Sequence, residues 1–320
     1  MLSFILKRVL QTIVLLLAVS ILVFIGCEIL PGDVAQVALG QFATEDNVRA
    51  LRLELGLDRP AYERYLSWLV GILQGDWGQS ITTKTPVATM LSERLWNTGL
   101  LALVTTVVAV PLALVLGLLM AVGAGRTWDR SASIVVLGLS ATPEFLIGSL
   151  AVLLFAVQLR WLPAVAYLSP GSGFSQTARA LFLPVLTLVI VVTAQIARMT
   201  RAIIANLLTQ PFVEMAVLKG VPSRRIVGVH ALINAVGPLA NIVALNIAYL
   251  VSGVVVVETI FAYPGLAGLM INAVQARDLP VVQACALIFC ATYVIMILVA
   301  DILAHLYDPR SNAQAAMEKL

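Results

Sequence analysis

Charge is scarce in this chain: Asp, Glu, Lys and Arg make up 12% of its 320 residues, against 60% apolar. A soluble domain carries roughly a quarter charged residues and about half apolar ones. That excess of apolar surface cannot be hidden in one core, so a bilayer is the expected solvent, along the whole length and not for a single anchor. Histidine is nearly missing too. His230 and His305 lie far apart with no second ligand near either, so no metal site is expected. The three cysteines, Cys27, Cys285 and Cys290, all sit in apolar runs with no CxxC or Cys/His spacing, which argues against a disulfide framework and against zinc. None of the four lysines (Lys7, Lys84, Lys219, Lys319) stands in a GxxxxGK[ST] pattern, so the chain has no phosphate-cradling loop of its own. No Ser, His and Asp converge by spacing. The pair His305 and Asp301, one turn apart near the end of the last apolar run, reads more simply as a local hydrogen bond than as a catalytic pair.

Long apolar runs are what the sequence has in quantity. Lys7 and Arg8 precede one that could pass for a signal peptide, and "VFIGC" hints at a lipoprotein cleavage site. Ile25 is not the small residue such a site wants, and the uncharged run from Val9 to Gly26 is 18 residues, longer than a typical signal core. We read it as a first membrane span. A helix needs ~20 apolar residues to cross the ~30 Å hydrocarbon layer. Five further stretches qualify, at about 98–122, 133–158, 181–200, 236–258 and 282–305. Backbone must satisfy itself inside lipid, which predicts six helices and an all-α membrane protein. No internal repeat is visible.

Lys and Arg in the connections set the orientation. Lys7, Arg8, Arg126, Arg130, Arg198, Arg201, Lys219, Arg224, Arg225, Arg310 and Lys319 share one side, against Arg160, Arg179 and Arg277 in the short connections of the other. Both termini are therefore expected in the cytoplasm. The long 31–97 segment then lies outside, a helical insertion after the first span. Thr44-Glu45-Asp46 signals a helix start there, Gly56 and Pro60 punctuate, and a second helical pattern runs from about Ala61 to Leu73. This segment either caps the outer mouth or receives a delivery protein.

Between the fourth and fifth runs the chain reads "LLTQPFVEMAVLKGVPSRRIVGVHALINAVGPL". Thr209 is a plausible N-cap, Pro211 suits a first helical turn, and Gly220 followed by Pro222 gives a stop. Ser223 can cap a second helix leading into the fifth span. The segment reads as a helix–hinge–helix elbow across the cytoplasmic end of the bundle. Phe212, Ala216 and Leu218/Lys219 fall near one face, and the small Ala216 and Gly220 would allow a close approach by another backbone. The alternative is a helix resting on the membrane surface with Arg224 and Arg225 near lipid phosphates.

Glu214-Met215-Ala216 followed by Gly220 resembles the "EAA…G" loop of the integral-membrane subunits of ABC importers. The likeness extends through "HALINAVGPL", "VVVVETIFAYPGLAGLMINAVQARDLPVVQA", the closing "HLYDPR" and "LGLDRPAYERYLSWLVGILQGDWGQS". Together these resemble the dipeptide/oligopeptide/nickel permease family over most of the chain. Met215 replaces the second alanine, and Glu214 stands where that family more often has a basic residue. The resemblance implies a six-span permease of a bacterial inner membrane, divided into a first span (1–30), the outer insertion (31–97), a core permease (98–305, coupling loop about 205–235) and a cytoplasmic tail (306–320). Its implied partners are a homologous second permease, two ATP-binding subunits that hold ATP and Mg, and a periplasmic binding protein. No nucleic acid partner and no cofactor on this chain are expected. The ATPases would push on 211–222, through Pro211, Phe212, Glu214, Met215, Ala216, Lys219 and Gly220, and the elbow would switch a central cavity between two accesses.

Charged and polar groups in spans are costly and usually functional. Glu144, after a helix-loosening Pro143, is a pathway candidate or a partner for backbone freed by the kink. Gln195 and Asn246 are pathway candidates or interhelical glue. Glu258, before Tyr263-Pro264-Gly265, is an outer gate or a snorkelling carboxylate, and Asp301 could pair with a cytoplasmic basic residue. The family implies a di- or oligopeptide cargo, with nickel, glutathione, opines or oligosaccharides as alternatives. A gradient-driven carrier would show two related halves with broken helices.

Overall fold

The computed structural model describes residues 2–29, 34–39, 43–54, 56–167, 171, 173–252 and 254–306. The closing tail with Arg310 and Lys319, and most of "HLYDPR", lie outside them. Every named element is helical; an isolated bridge between Gln79 and Pro86 is the one β pairing among the described residues. In chain order these are α1 (Leu2–Ile29), α2 (Val34–Leu39), α3 (Glu45–Glu54), α4 (Ala61–Leu73), α5 (Val87–Val122), α6 (Thr127–Ala141), α7 (Glu144–Ala151), α8 (Phe174–Leu208), α9 (Pro211–Leu218), α10 (Ser223–Arg225), α11 (Leu232–Ser252), α12 (Val255–Ile260), α13 (Leu266–Gln275) and α14 (Leu279–Leu306). Wider π turns extend α7 over Val152–Gln158 and join α10 to α11 over Ile226–Ala231.

Five helical stretches are long and apolar enough to cross a membrane: those of α1, α5, α8 and α14, and the run Ser223–Ile260. A sixth span exists only if α6 and α7 count as one, and here the structure departs from the expected single helix over 133–158. The two halves meet at 96°. Pro143 has no amide to give, and it drives the residue before it out of the helical region. Thr142 is accordingly extended (φ −78°, ψ 128°), as is Pro143 (φ −59°, ψ 137°). The Thr142 amide and hydroxyl both donate to Gly138 O, at 3.1 and 2.8 Å, closing the last turn of α6.

The spine of the bundle is α5 against α8, the most extensive helix pair. Without a hydrophobic force between helices in lipid, close packing of small residues holds them together. On α5 the buried positions Ala109, Ala113, Gly117 and Ala121 repeat every fourth residue, making one smooth ridge. At Gly117 the approach is closest: a β-carbon there would lie 2.6 Å from the Ala197 carbonyl oxygen and from Thr200 Cβ of α8. Both helices outrun the bilayer, α5 with 36 residues extending about 54 Å at ~1.5 Å per residue. It starts at Val87, ahead of the apolar run read from the sequence. A second core of Cys27, Val87, Leu91, Leu266, Leu269 and Cys285 ties α1, α5, α13 and α14 together.

Two ion pairs join helices of the bundle. Arg201 of α8 grips Asp129 of α6 through two bonds of 2.7 Å, with Asp129 only 1% exposed. Arg8 of α1 meets Asp301 of α14 at 3.3 Å, so the expected partner for Asp301 is on the first helix. These pairs bring the start of α1 to the end of α14, and the start of α6 to the end of α8.

Gly117→Ala is expected to lower the thermal stability of the purified protein in detergent by about 1–3 kcal/mol, the usual range for overpacking. Gly99→Ala on the same helix, where a β-carbon meets nothing within 4 Å, should leave stability unchanged or slightly raised. Equal effects at the two sites would contradict the tight α5–α8 ridge.

Candidate functional site

The elbow is built from its two stops. At the first, Thr209 does not cap α9 as expected: its hydroxyl donates back to Asn206 O at 2.8 Å and closes α8. Gln210 takes the extended cap position (φ −78°, ψ 150°), and Pro211 opens α9 as its first residue. At the second stop, Gly220 adopts φ +74°, while its amide donates to Val217 O at 2.9 Å and the Val221 amide to Ala216 O at 3.0 Å. Those two bonds form a Schellman cap, which requires the left-handed residue that glycine supplies. Pro222, not Ser223, then occupies the cap position of α10 (φ −64°, ψ 143°), with no side-chain cap bond.

Only one edge of α9 faces its own chain. Val213 is buried and Ala216 half-buried, against the π turn that follows. Phe212, Met215, Val217 and Leu218 are exposed, Leu218 at 75%. Glu214, Lys219 and Gly220 are exposed as well. The expected open face of Phe212, Ala216 and Leu218/Lys219 is thus only partly matched, because Ala216 turns inward.

Among the intramembrane candidates, the structure joins Glu144 to α11. Glu144 is the first residue of α7, and the Tyr249 hydroxyl donates to its carboxylate. Asn246 lies one turn before Tyr249. Its amide donates to Ile242 O at 2.9 Å, while its Oδ1 is buried with no partner among the described residues. Gln195 is half-buried on α8 between Ala194 and Ile196, and no hydrogen bond links it to the other two.

Glu258 does not snorkel. It is buried, with its carboxylate turned inward beneath the start of α13. Thr98 of α5 donates to Oε1 at 3.2 Å and the Gly268 amide to Oε2 at 2.8 Å, while Thr98 Oγ1 accepts the Leu266 amide at 2.8 Å. The turn above is fixed by Tyr263, whose hydroxyl donates to Asn97 O at 2.6 Å, and by Asn97, whose amide donates to Pro264 O at 2.9 Å. Burial, and then the Glu258 carboxylate, push the Tyr263 phenol above its ordinary range, so it stays a donor. Gly265 has no room for a side chain: a β-carbon there would lie 1.9 Å from Glu258 Oε1.

Two further anchors escaped the sequence reading. Asp278, between α13 and α14, is buried and accepts the Ile81 amide at 3.1 Å, the Thr82 hydroxyl at 2.9 Å and the Ser80 hydroxyl, pinning the loop before α5. Asp129, paired with Arg201, also accepts the Gly125 amide at 3.0 Å. The available signal was that a charge in an apolar chain must find a partner, but sequence spacing does not reveal which.

These features define a multi-pass helical membrane protein whose spans are interrupted by a short, exposed, apolar helix. Residues 113–312 match the model of the binding-protein-dependent transport system inner membrane component, and residues 1–102 that family's N-terminal component. The chain belongs to this family of permease subunits of ABC importers, which are not enzymes. It is 35% identical to a probable peptide ABC transporter permease protein of Sinorhizobium fredii, over 96% of this chain and 98% of that one. It is 36% identical to the glutathione transport system permease protein of Escherichia coli, over 97% and 98% of the two chains.

Gly265→Ala is expected to destabilise the protein by about 1–3 kcal/mol through overpacking against Glu258. At Gly268 a β-carbon would sit 3.6 Å from Glu258 Oε2, an ordinary contact, so Gly268→Ala should cost far less. Thermal unfolding in detergent compares the two directly.

Proposed function

We propose that this chain is one of two permease subunits of an ATP-driven importer in a bacterial inner membrane, and that α9 is the surface on which a separate ATPase subunit pushes. The observation that carries the coupling role is the exposure of Phe212, Met215, Val217 and Leu218 on an eight-residue helix anchored by Pro211 and by the Gly220 cap. A helix merely resting on lipid would not need so rigid an end. Force applied to α9 passes to α8 through Thr209–Gln210, and to α11 through the π turn Ile226–Ala231. Pro211, Phe212, Glu214, Met215, Lys219 and Gly220 are the contact residues, and Ala216 holds the helix to its own chain. ATP and Mg belong to the partner subunits, since no lysine here sits in a phosphate-binding loop.

The balance of Lys and Arg supports cytoplasmic termini. On that orientation α9 faces the ATPases, and the segment after α1 faces the periplasm, where a binding protein delivers cargo. The cargo proposed is a di- or oligopeptide, in keeping with the Sinorhizobium relative. Glutathione, itself a small peptide, is the second reading, carried by the Escherichia coli relative. Glu144, with Asn246 and Gln195, is proposed to border the translocation pathway.

Co-purification from mild detergent tests the partnership: P-loop ATPases and a second permease are expected to accompany a tagged chain, and a chain recovered alone would count against it. Gly220→Val tests the coupling. No atom lies within 4 Å of the added β-carbon, so its cost is backbone strain of about 1–2 kcal/mol at positive φ. Membrane insertion should survive, while ATP hydrolysis in the reconstituted complex no longer drives uptake. Uptake at the native rate would overturn the hinge role.

A further inference from the structure

We propose that α4 is an interfacial membrane helix, whose stripe of Tyr62, Leu66, Val70 and Leu73 lies against the acyl chains of the bilayer leaflet around the C-terminal end of α1. All four side chains are at least half exposed, Leu73 at 79%. At 3.6 residues per turn they fall on one stripe. The helix then divides into three sectors. Tyr65 and Trp68 pack on α1, with the half-buried Ile72 on the same side; next to it runs the open apolar stripe; Glu63, Gln74, Ser67 and Arg64 take the remaining arc.

The depth of α4 follows from what it touches. Tyr65 hydrogen-bonds Ser20 at 2.9 Å, and its ring stands 5.5 Å from that of Phe24; Trp68 lies 6.0 Å from Phe24. Ser20 and Phe24 belong to the uncharged run from Val9 to Gly26, about 27 Å of helix at ~1.5 Å per residue and nearly the thickness of the hydrocarbon layer. The contacts therefore sit about 3 and about 9 Å inside the end of that run. Amphipathic interfacial helices bury their apolar faces ~5–10 Å into the boundary between headgroups and acyl chains. Further out, Arg64 pairs with Glu28, the first charge beyond the run.

The surroundings choose the occupant. The polar arc does not face lipid: Arg64, Ser67 and Gly71 line a cavity of about 310 Å³ together with Glu28, Asp76 and Gln283. The apolar stripe lies away from that cavity. Toward the same end of α1, Leu22, Ile25 and Ile29 are likewise open. A membrane that covers α1 at this depth reaches α4 as well. The helix then stands as a wall between lipid and that cavity, and the argument holds for either orientation of the chain in the membrane.

The test uses the complete transporter in phospholipid vesicles, with Cys27, Cys285 and Cys290 replaced and single nitroxide labels on Tyr62→Cys, Leu66→Cys, Val70→Cys, Leu73→Cys, Glu63→Cys and Gln74→Cys. Collision with oxygen, which concentrates in acyl chains, is compared with collision with a water-soluble nickel chelate. The oxygen-to-nickel ratio is expected to be several-fold higher at 62, 66, 70 and 73 than at 63 and 74. A ratio as low on the stripe as at 63 and 74 would mean that the stripe faces water. Exclusion of both reagents from the stripe would mean that a protein surface covers it. Either result overturns the proposal.

Discussion

The scarcest commodity inside a bilayer is a hydrogen-bond partner for the backbone, and this structure is organised around supplying one wherever a helix stops. A buried backbone amide left without a partner costs a few kcal/mol, so a chain with broken spans and buried turns must bring acceptors to its breaks. Among the described residues, the three buried acids all perform this service. Asp129 receives the Gly125 amide ahead of α6, Glu258 receives the Gly268 amide in the first turn of α13, and Asp278 receives the Ile81 amide in the loop before α5. Each also reaches a distant part of the chain, through Arg201, Thr98 or Ser80. The acids therefore fix breaks and crosslink helices at once, which explains how so few charges hold so many interruptions.

The same constraint explains where the chain is left free. α9 is closed by backbone bonds and by Pro211, and no acidic side chain braces it. Its contact with the rest of the chain is chiefly the π turn that follows. Such turns are often found at functional sites because their wider backbone is less settled than an α-helix. A rigid piece on a softer mount suits the role proposed for it: load on α9 moves the ends of α8 and α11, while the α5–α8 ridge, locked at Gly117, keeps its form.

Much of this was legible in the sequence, for reasons that differ by element. The spans followed from apolar length, and α4 from its helical pattern over Ala61–Leu73 after Pro60. The Thr44 start held as well, its side chain accepting the Asn47 amide at 3.3 Å. Gly220 was readable because a glycine two residues before a proline is local punctuation. Thr209 and Ser223 misled for an equally local reason: at each site a proline or an extended neighbour fixed the helix start, and the hydroxyl had either another carbonyl to bond or no capping role. The bend at Pro143 was foreseen as loosening but not as 96°, because its size depends on what α7 packs against. Asp129, Asp278 and Tyr249 could not be found, since their partners lie 72, 198 and 105 residues away.

The intramembrane candidates can be ranked by the same accounting of partners. Glu258 is committed to Thr98 and Gly268 and is crowded by Gly265, so its carboxylate is a brace with little left for a passing ligand. Glu144 is different. Its bond is to the hydroxyl of Tyr249, a side chain that can turn away without breaking backbone structure. Close by in sequence, Asn246 keeps a buried oxygen without a partner among the described residues, an arrangement whose cost a water or a cargo donor would relieve. A pathway that must bind cargo and let it go is better served by groups held through exchangeable side-chain bonds than by ones locked into the fold. Of the candidates read from the sequence, that places Glu144 and Asn246 ahead of Glu258, whose bonds hold the turn before α13 rigid.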